Sequence, residues 1–199
     1  MANKLLVDYL NRSRALYSLE SHPASYTALA LAHAGHIDTH HLAKTVMVSV
    51  GGELSMVIVP ACYQLDLLAL TEHLGAGRVE LVGEDHFYRR FPRCEVGAVP
   101  PFGHLYGLNS YLVPLFELAE SVAFCAGTHH ELIRMPFAEF SRFAHATEIS
   151  PFVVFGSEMP GNAVSRDVVD ECNAVDCRAQ NKAEHWLLNP SRYSSVQVY

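Results

Sequence analysis

Charge is scarce in this chain: Asp, Glu, Lys and Arg make up 18% of its 199 residues, and the acids outnumber the bases to leave a net charge of −7. Broad attraction to a phosphate backbone needs many lysines and arginines to displace counterions, so binding along DNA is excluded and any nucleic-acid contact has to be local. Long apolar runs are also missing. None approaches the roughly 20 residues of a membrane-spanning helix, and the opening segment 1–11 breaks its apolar residues with Asp8 and Asn11, unlike a secretory leader. No membrane partner is expected. The cysteines are few, odd in number and scattered (Cys62, Cys94, Cys125, Cys172, Cys177), which argues against a disulfide framework and for a reducing, cytoplasmic setting.

Several catalytic signatures are absent as well. No H-E-x-x-H or C-x-x-C occurs, and the spacing of Cys172, Cys177 and His185 is loose and lacks a fourth ligand. The adjacent pairs His40-His41 and His129-His130 would point to opposite faces of a strand and so do not chelate one ion. No metal and no organic cofactor are expected; a zinc hydrolase using the histidines would carry bound metal. No G-x-S-x-G elbow or glycine-rich phosphate loop is present. Cys125 lies in an apolar stretch, where a thiol is usually inert packing.

Half of the residues are hydrophobic, a globular composition. Leu5, Leu6, Tyr9 and Leu10 fall at helical spacing and predict an opening helix. Residues 15–21 alternate as a strand. Ser25 is placed to cap a second helix that Gly35 ends. Segments 44–50 and 56–59 read as a hairpin turning at Gly51-Gly52. Helices are expected over 66–74, stopped by Gly75, over 84–91, stopped by Pro92, and over 136–143; strands are expected over 122–125 and 132–135 around a turn at Gly127. Intermixed strands and helices with tight hairpins predict an α+β class. After about Ala146 breakers crowd together, so a domain over 1–146 is expected, followed by an extension over 147–199 with a helix near 165–180 and an irregular tail from Asn189.

Three features could carry chemistry. Lys44 opens an apolar strand with no acidic neighbour in sequence, and either extends its ammonium to solvent or serves a pocket as a point charge for a carbonyl or phosphate. The segment Gly97-Ala98-Val99-Pro100-Pro101-Phe102-Gly103 cannot be regular structure and should be a fixed loop, with Gly97 allowing close approach of a ligand to the backbone. His129, after Gly127-Thr128, is an exposed turn residue or an acid, base or donor near neutral pH. Arg89, Arg90 and Arg93 form the one local basic cluster, either a solvated face or a set of phosphate contacts.

In order, Ala43-Lys44-Thr45, Val57-Ile58-Val59-Pro60, Leu65-Asp66-Leu67, the 97–103 loop and Phe124-Cys125-Ala126-Gly127-Thr128-His129 resemble the YbaK / prolyl-tRNA-synthetase-associated domain family over about residues 5–143. The resemblance implies a mixed, largely antiparallel, barrel-like curved sheet around a pocket, flanked by helices. It also implies hydrolysis of the ester of a mischarged tRNA. Lys44 would then hold the phosphate or carbonyl end of the charged terminal adenosine, backbone N–H groups near Gly97 would bind the aminoacyl group or the oxyanion, and His129 would donate or fix the loop. Thr45, Ala98, Pro101 and Gly127 would border the substrate, and Arg89, Arg90 and Arg93 would meet tRNA phosphates. The implied partners are the aminoacyl-tRNA acceptor end and an aminoacyl-tRNA synthetase. The branch that clears cysteine carries a Ser-Gly-Gly type turn where this chain has Ala126-Gly127-Thr128, so alanine, serine or threonine is as good a substrate as cysteine. The alternative is a non-catalytic module that uses the same pocket to bind tRNA, a synthetase or an aminoacyl-like metabolite.

Overall fold

The computed structural model of the chain describes residues 2–116 and 120–156. Its first helix, α1 (Lys4–Arg12), turns Leu6 and Leu10 inward, and Asn3 starts it by accepting the N–H groups of Leu5 and Leu6 on its side-chain oxygen. After β1 (Ser18–Ser21) comes α2 (Ala28–Ala34). Thr27 caps α2 by accepting from Ala30 N, whereas the expected cap, Ser25, donates its hydroxyl to Pro23 O. The hairpin of β2 (Ala43–Val50) and β3 (Glu53–Pro60) turns through Gly51 and Gly52 at φ of 59° and 93°, where a side chain would be strained.

Beyond β4 (Tyr63–Leu65), α3 (Leu67–Leu74) begins at Asp66, whose carboxylate accepts from Leu68 N and Ala69 N, and stops at left-handed Gly75. β5 (Val79–Leu81) follows. The helix expected over 84–91 is only one turn, α4 (Glu84–Phe87), continued by a 3-10 turn over Tyr88–Arg90. Gly83 gives it no side-chain cap, and so short a helix lacks the hydrogen bonds to sustain itself. A second 3-10 turn, Gly103–Tyr106, leads into β6 (Asn109–Leu112). The hairpin β7 (Ser121–Thr128) and β8 (Glu131–Pro136) is followed by α5 (Phe137–Ala144), β9 (Thr147–Glu148), a 3-10 turn over Pro151–Val153 and β10 (Val154–Gly156).

The sheets are mixed and largely antiparallel, within an α+β architecture. One has the order β5-β2-β3-β6-β9, with β6 and β9 joined in parallel; another is β1-β8-β7, all antiparallel; β4 pairs with β10. The larger two meet where Leu42 bridges Ala123. Between them lies the main core, with Leu6 and Leu10 of α1, Met47, Met56 and Ile58 of the five-stranded sheet, Phe124 and Ile133 of the other, and Phe102 and Phe140. Val48, Val57, Val59, Leu70 and Val153 form a second core on the far side of the five-stranded sheet. Burial on both faces explains why residues 55–60 are buried without alternation.

The described residues belong to one compact unit, and strands β9 and β10 pair within it. The helix expected near 165–180 and the tail from Asn189 lie outside the described residues. The double cap at Asp66 is a local test of this fold: Asp66→Ala should lower stability by about 1 kcal/mol in urea denaturation without changing the slope of the transition.

Candidate functional site

The site is organised around a bulge in β7. The β7–β8 register runs Cys125 to Leu132 and then Thr128 to Glu131, so Ala126 and Gly127 are extra residues on β7. Gly127 sits at φ 100°, and a Cβ there would stand 2.7 Å from the Cβ of Asn3. Asn3 occupies that space, donating its N–H to Ala126 O at 2.7 Å and its side-chain amide to the Cys94 sulfur at 3.1 Å. The freed Gly127 carbonyl accepts from Glu95 N at 2.9 Å, and the Glu95 carboxylate accepts from His129 N at 2.6 Å. The segment before Gly97 is thereby clipped to the β7–β8 turn.

His129 completes the clip. Its Nε2 lies 2.8 Å from Val96 O and its Nδ1 lies 3.1 Å from Ser25 O. A carbonyl only accepts, so a neutral ring serves one of these oxygens at a time. With both nitrogens turned to the backbone, the ring is a positioning group for its loops in this structure.

Gly97 is exposed, at φ 83°, and its missing Cβ would stand 3.5 Å from His129 Cε1 and 3.6 Å from a Glu84 carboxylate oxygen. The structure therefore brings Gly97 and His129 together. Beside them is a small open pocket of about 40 Å³ with buried Phe87 and Phe91, exposed Tyr88 and the carboxylates of Glu84 and Glu95 in its wall. The rest of the loop is anchored: Ala98, Pro100, Pro101 and Phe102 are buried, Ala98 N donates to Glu95 O, and Phe102 N donates to Pro100 O.

Arg89, Arg90 and Arg93 are exposed on the segment that supplies Tyr88, Phe91 and Cys94 to this pocket. Arg89 donates to the Tyr88 hydroxyl at 3.0 Å, its guanidinium 5.6 Å from the ring centre. Among the described residues, none of the three pairs with a carboxylate.

Lys44 has a different neighbourhood. It lies opposite Val59 in the β2–β3 register, on the face of β2 that carries Val46 and Val48. The side chain is half-buried, and burial pulls its pKa below the usual lysine range, an effect the nearby Cys62 partly offsets. Burial pushes the Cys62 thiol up to about 11. No carboxylate pairs with Lys44 among the described residues. Thr45 points to the other face, its hydroxyl oxygen buried without a partner.

Sequence reasoning did not single out Asn3, Tyr26, Cys62, Glu84, Tyr88 or Glu95. Their partners lie far away in sequence, as Asn3 and Cys94 do, so no local pattern marks them. Asn3 was readable as a helix cap; its second role under Gly127 was not.

The α+β domain thus carries an anchored glycine–proline loop and a small pocket, with arginines nearby that have no carboxylate partner among the described residues. The model of the aminoacyl-tRNA editing domain family matches residues 22–143, and the chain belongs to that family. Among solved structures, it resembles a hypothetical protein at 16% identity and a TM-score of 0.68, over 76% of this chain and 100% of that one. It also resembles a candidate trans-editing enzyme for prolyl-tRNA synthetase at 22% identity and a TM-score of 0.62, over 73% of this chain and 92% of that one. A candidate signal transduction protein from Marinobacter aquaeolei VT8 matches at 17% identity and a TM-score of 0.62, over 100% of this chain and 38% of that protein. At these identities the likeness is one of fold. No curated protein matches the chain.

Two measurements check this geometry. Gly127→Ala should destabilise the protein by roughly 1–3 kcal/mol in chemical denaturation, because the new Cβ meets Asn3 and the backbone is left-handed. Lys44→Met should be more stable than the wild type near neutral pH. The folded protein holds the Lys44 proton less tightly than the unfolded chain, so wild-type stability rises as pH climbs from the lowered pKa toward the ordinary 10.5, and the advantage of the variant should shrink across that window.

Proposed function

We propose that the chain is a trans-acting aminoacyl-tRNA deacylase that hydrolyses the ester of a mischarged tRNA carrying a small amino acid of the alanine, serine, threonine or cysteine type. The observation that carries this reading is Gly97: an exposed backbone at positive φ, beside a small pocket, within a chain of the editing family. A size limit at this small pocket beside Gly97 is the logic of a second sieve.

Water adds to the ester carbonyl carbon, the bond from that carbon to the ribose oxygen breaks, and the ribose oxygen takes up a proton. Free amino acid and free tRNA result. An aminoacyl ester is already activated, so orienting the water and stabilising the oxyanion can suffice, one fixed donor contributing roughly 3 kcal/mol. Backbone groups around Gly97 take the aminoacyl group. Ala98, Pro101 and Gly127 shape that backbone. His129 holds the loop in register. The Lys44 ammonium acts as a point charge for the phosphate or carbonyl end of the terminal nucleotide, a role favoured by the absence of a carboxylate partner among the described residues. Arg89, Arg90 and Arg93 meet acceptor-end phosphates. A synthetase that supplies the mischarged tRNA is a natural partner, and the reaction belongs to the cytoplasm, where translation runs.

A second reading rests on Lys44 standing beside Cys62, in a neighbourhood of its own: a non-catalytic module that binds tRNA, a synthetase or an aminoacyl-like metabolite. Deacylation of Ala-, Ser-, Thr- and Cys-tRNA by the wild type and Lys44→Ala separates the two. The deacylase reading expects rapid release of one amino acid by the wild type and a loss of about 100-fold or more in the variant. A folded wild type that releases none of the four would sink it in favour of the binding module.

A further inference from the structure

Resting on that reading, we infer that Tyr26, backed by His129, is the stacking platform for the unpaired 3′-terminal base of the tRNA. Tyr26 is 71% exposed, and no hydrogen bond engages its hydroxyl among the described residues. Single exposed apolar residues are ordinary on protein surfaces. What sets Tyr26 apart is that its loop is held rigidly while its ring is left open. His22 N donates to His130 O and Ser25 N to His129 O, each at 2.9 Å, and the buried Ser25 donates its hydroxyl to Pro23 O. The ring rests against His129, centroids 4.6 Å apart at 50°. His129 is itself held through Val96 O and Ser25 O, and its Cε1 lies against the bare side of Gly97.

Ring, imidazole and Gly97 are therefore consecutive neighbours on one anchored surface. Val96, 56% exposed, adds apolar area at the same place. Charge decides what this surface takes. The Glu84 carboxylate stands beside Gly97 and that of Glu95 is held at His129 N, and both repel a phosphate, whereas a neutral base has no such penalty and stacks on an aromatic face whatever its identity. The phosphates go instead to the arginine segment. A base stacked on Tyr26 sets the ribose, and with it the ester, beside Gly97. Tyr26 is thus a positioning residue, which sequence alone did not distinguish from any exposed loop tyrosine.

The test uses the full chain and an acceptor-stem minihelix whose 3′-terminal adenine is replaced by 2-aminopurine. Wild type and Tyr26→Phe should quench its fluorescence on binding, while Tyr26→Ala should lose the quenching and bind about tenfold or more weakly. In deacylation, Tyr26→Ala should raise KM with little change in kcat, and Tyr26→Phe should restore it. So exposed a ring can be removed without unfolding, which a melting curve checks. A wild type that binds the minihelix without quenching, or equally well as Tyr26→Ala, overturns the platform and leaves the deacylase reading intact. A wild type that binds no minihelix and deacylates nothing overturns both. Loss of synthetase binding in Tyr26→Ala, with RNA binding unchanged, would assign the surface to a protein partner and overturn the inference.

Discussion

The arrangement of the site depends on one missing atom, the Cβ of Gly127. Because no side chain projects there, Asn3 closes onto the bulge in β7 and ties α1 to the strand. The bulge turns the Gly127 carbonyl toward Glu95, and the Glu95 carboxylate takes the next N–H, that of His129. His129 passes the constraint to Val96 on one side and to Ser25 on the other. Four segments distant in sequence are thus held by a few hydrogen bonds that all lead back to one backbone conformation. An extra strand residue of this kind bends the strand and re-aims its neighbours, a device suited to the edge of a site.

The second constraint is burial of the five-stranded sheet on both faces. Val57 and Val59 face one core while Met56 and Ile58 face the other, leaving little room for polar groups in its interior. Lys44 enters this sheet near one end of β2 and meets the cost of desolvation as a lowered affinity for its proton. A charged group held against that cost, with no carboxylate partner among the described residues, is either tolerated packing or a waiting counterion for an anionic ligand. The loop around Gly97 has the opposite character: its prolines are buried, Phe102 is anchored in the main core, and its exposed glycine contributes backbone alone.

Much of the fold was legible in the sequence because it is written in local chemistry. The spacing of Leu6 and Leu10, the glycines at 51, 52 and 75, and the helices expected from Asp66 and from Pro136 each act within a few residues, and each lies within a residue of where the pattern placed it. The failures were local competitions that the pattern did not rank. Thr27 took the cap expected of Ser25, whose hydroxyl had a nearer acceptor in Pro23 O, and the helix after Gly83 gave way to a 3-10 turn. Strand β6 left no hairpin signature, since it joins β3 in parallel across a long connection.

The sequence by itself determined the α+β class, the order of motifs that carries the editing-domain family, and the irregular course of the chain between Gly97 and Phe102. These depend on torsional preference and hydrophobic period, which neighbours in the chain share. Only the tertiary structure decided that Gly97 and His129 belong together, that Lys44 sits with Cys62, and that Glu84, Glu95, Tyr88 and Tyr26 surround or approach the loop. Those relations are contacts between segments far apart in sequence, set by how two sheets pack over a common core. A residue's own neighbours in the chain carry no record of them.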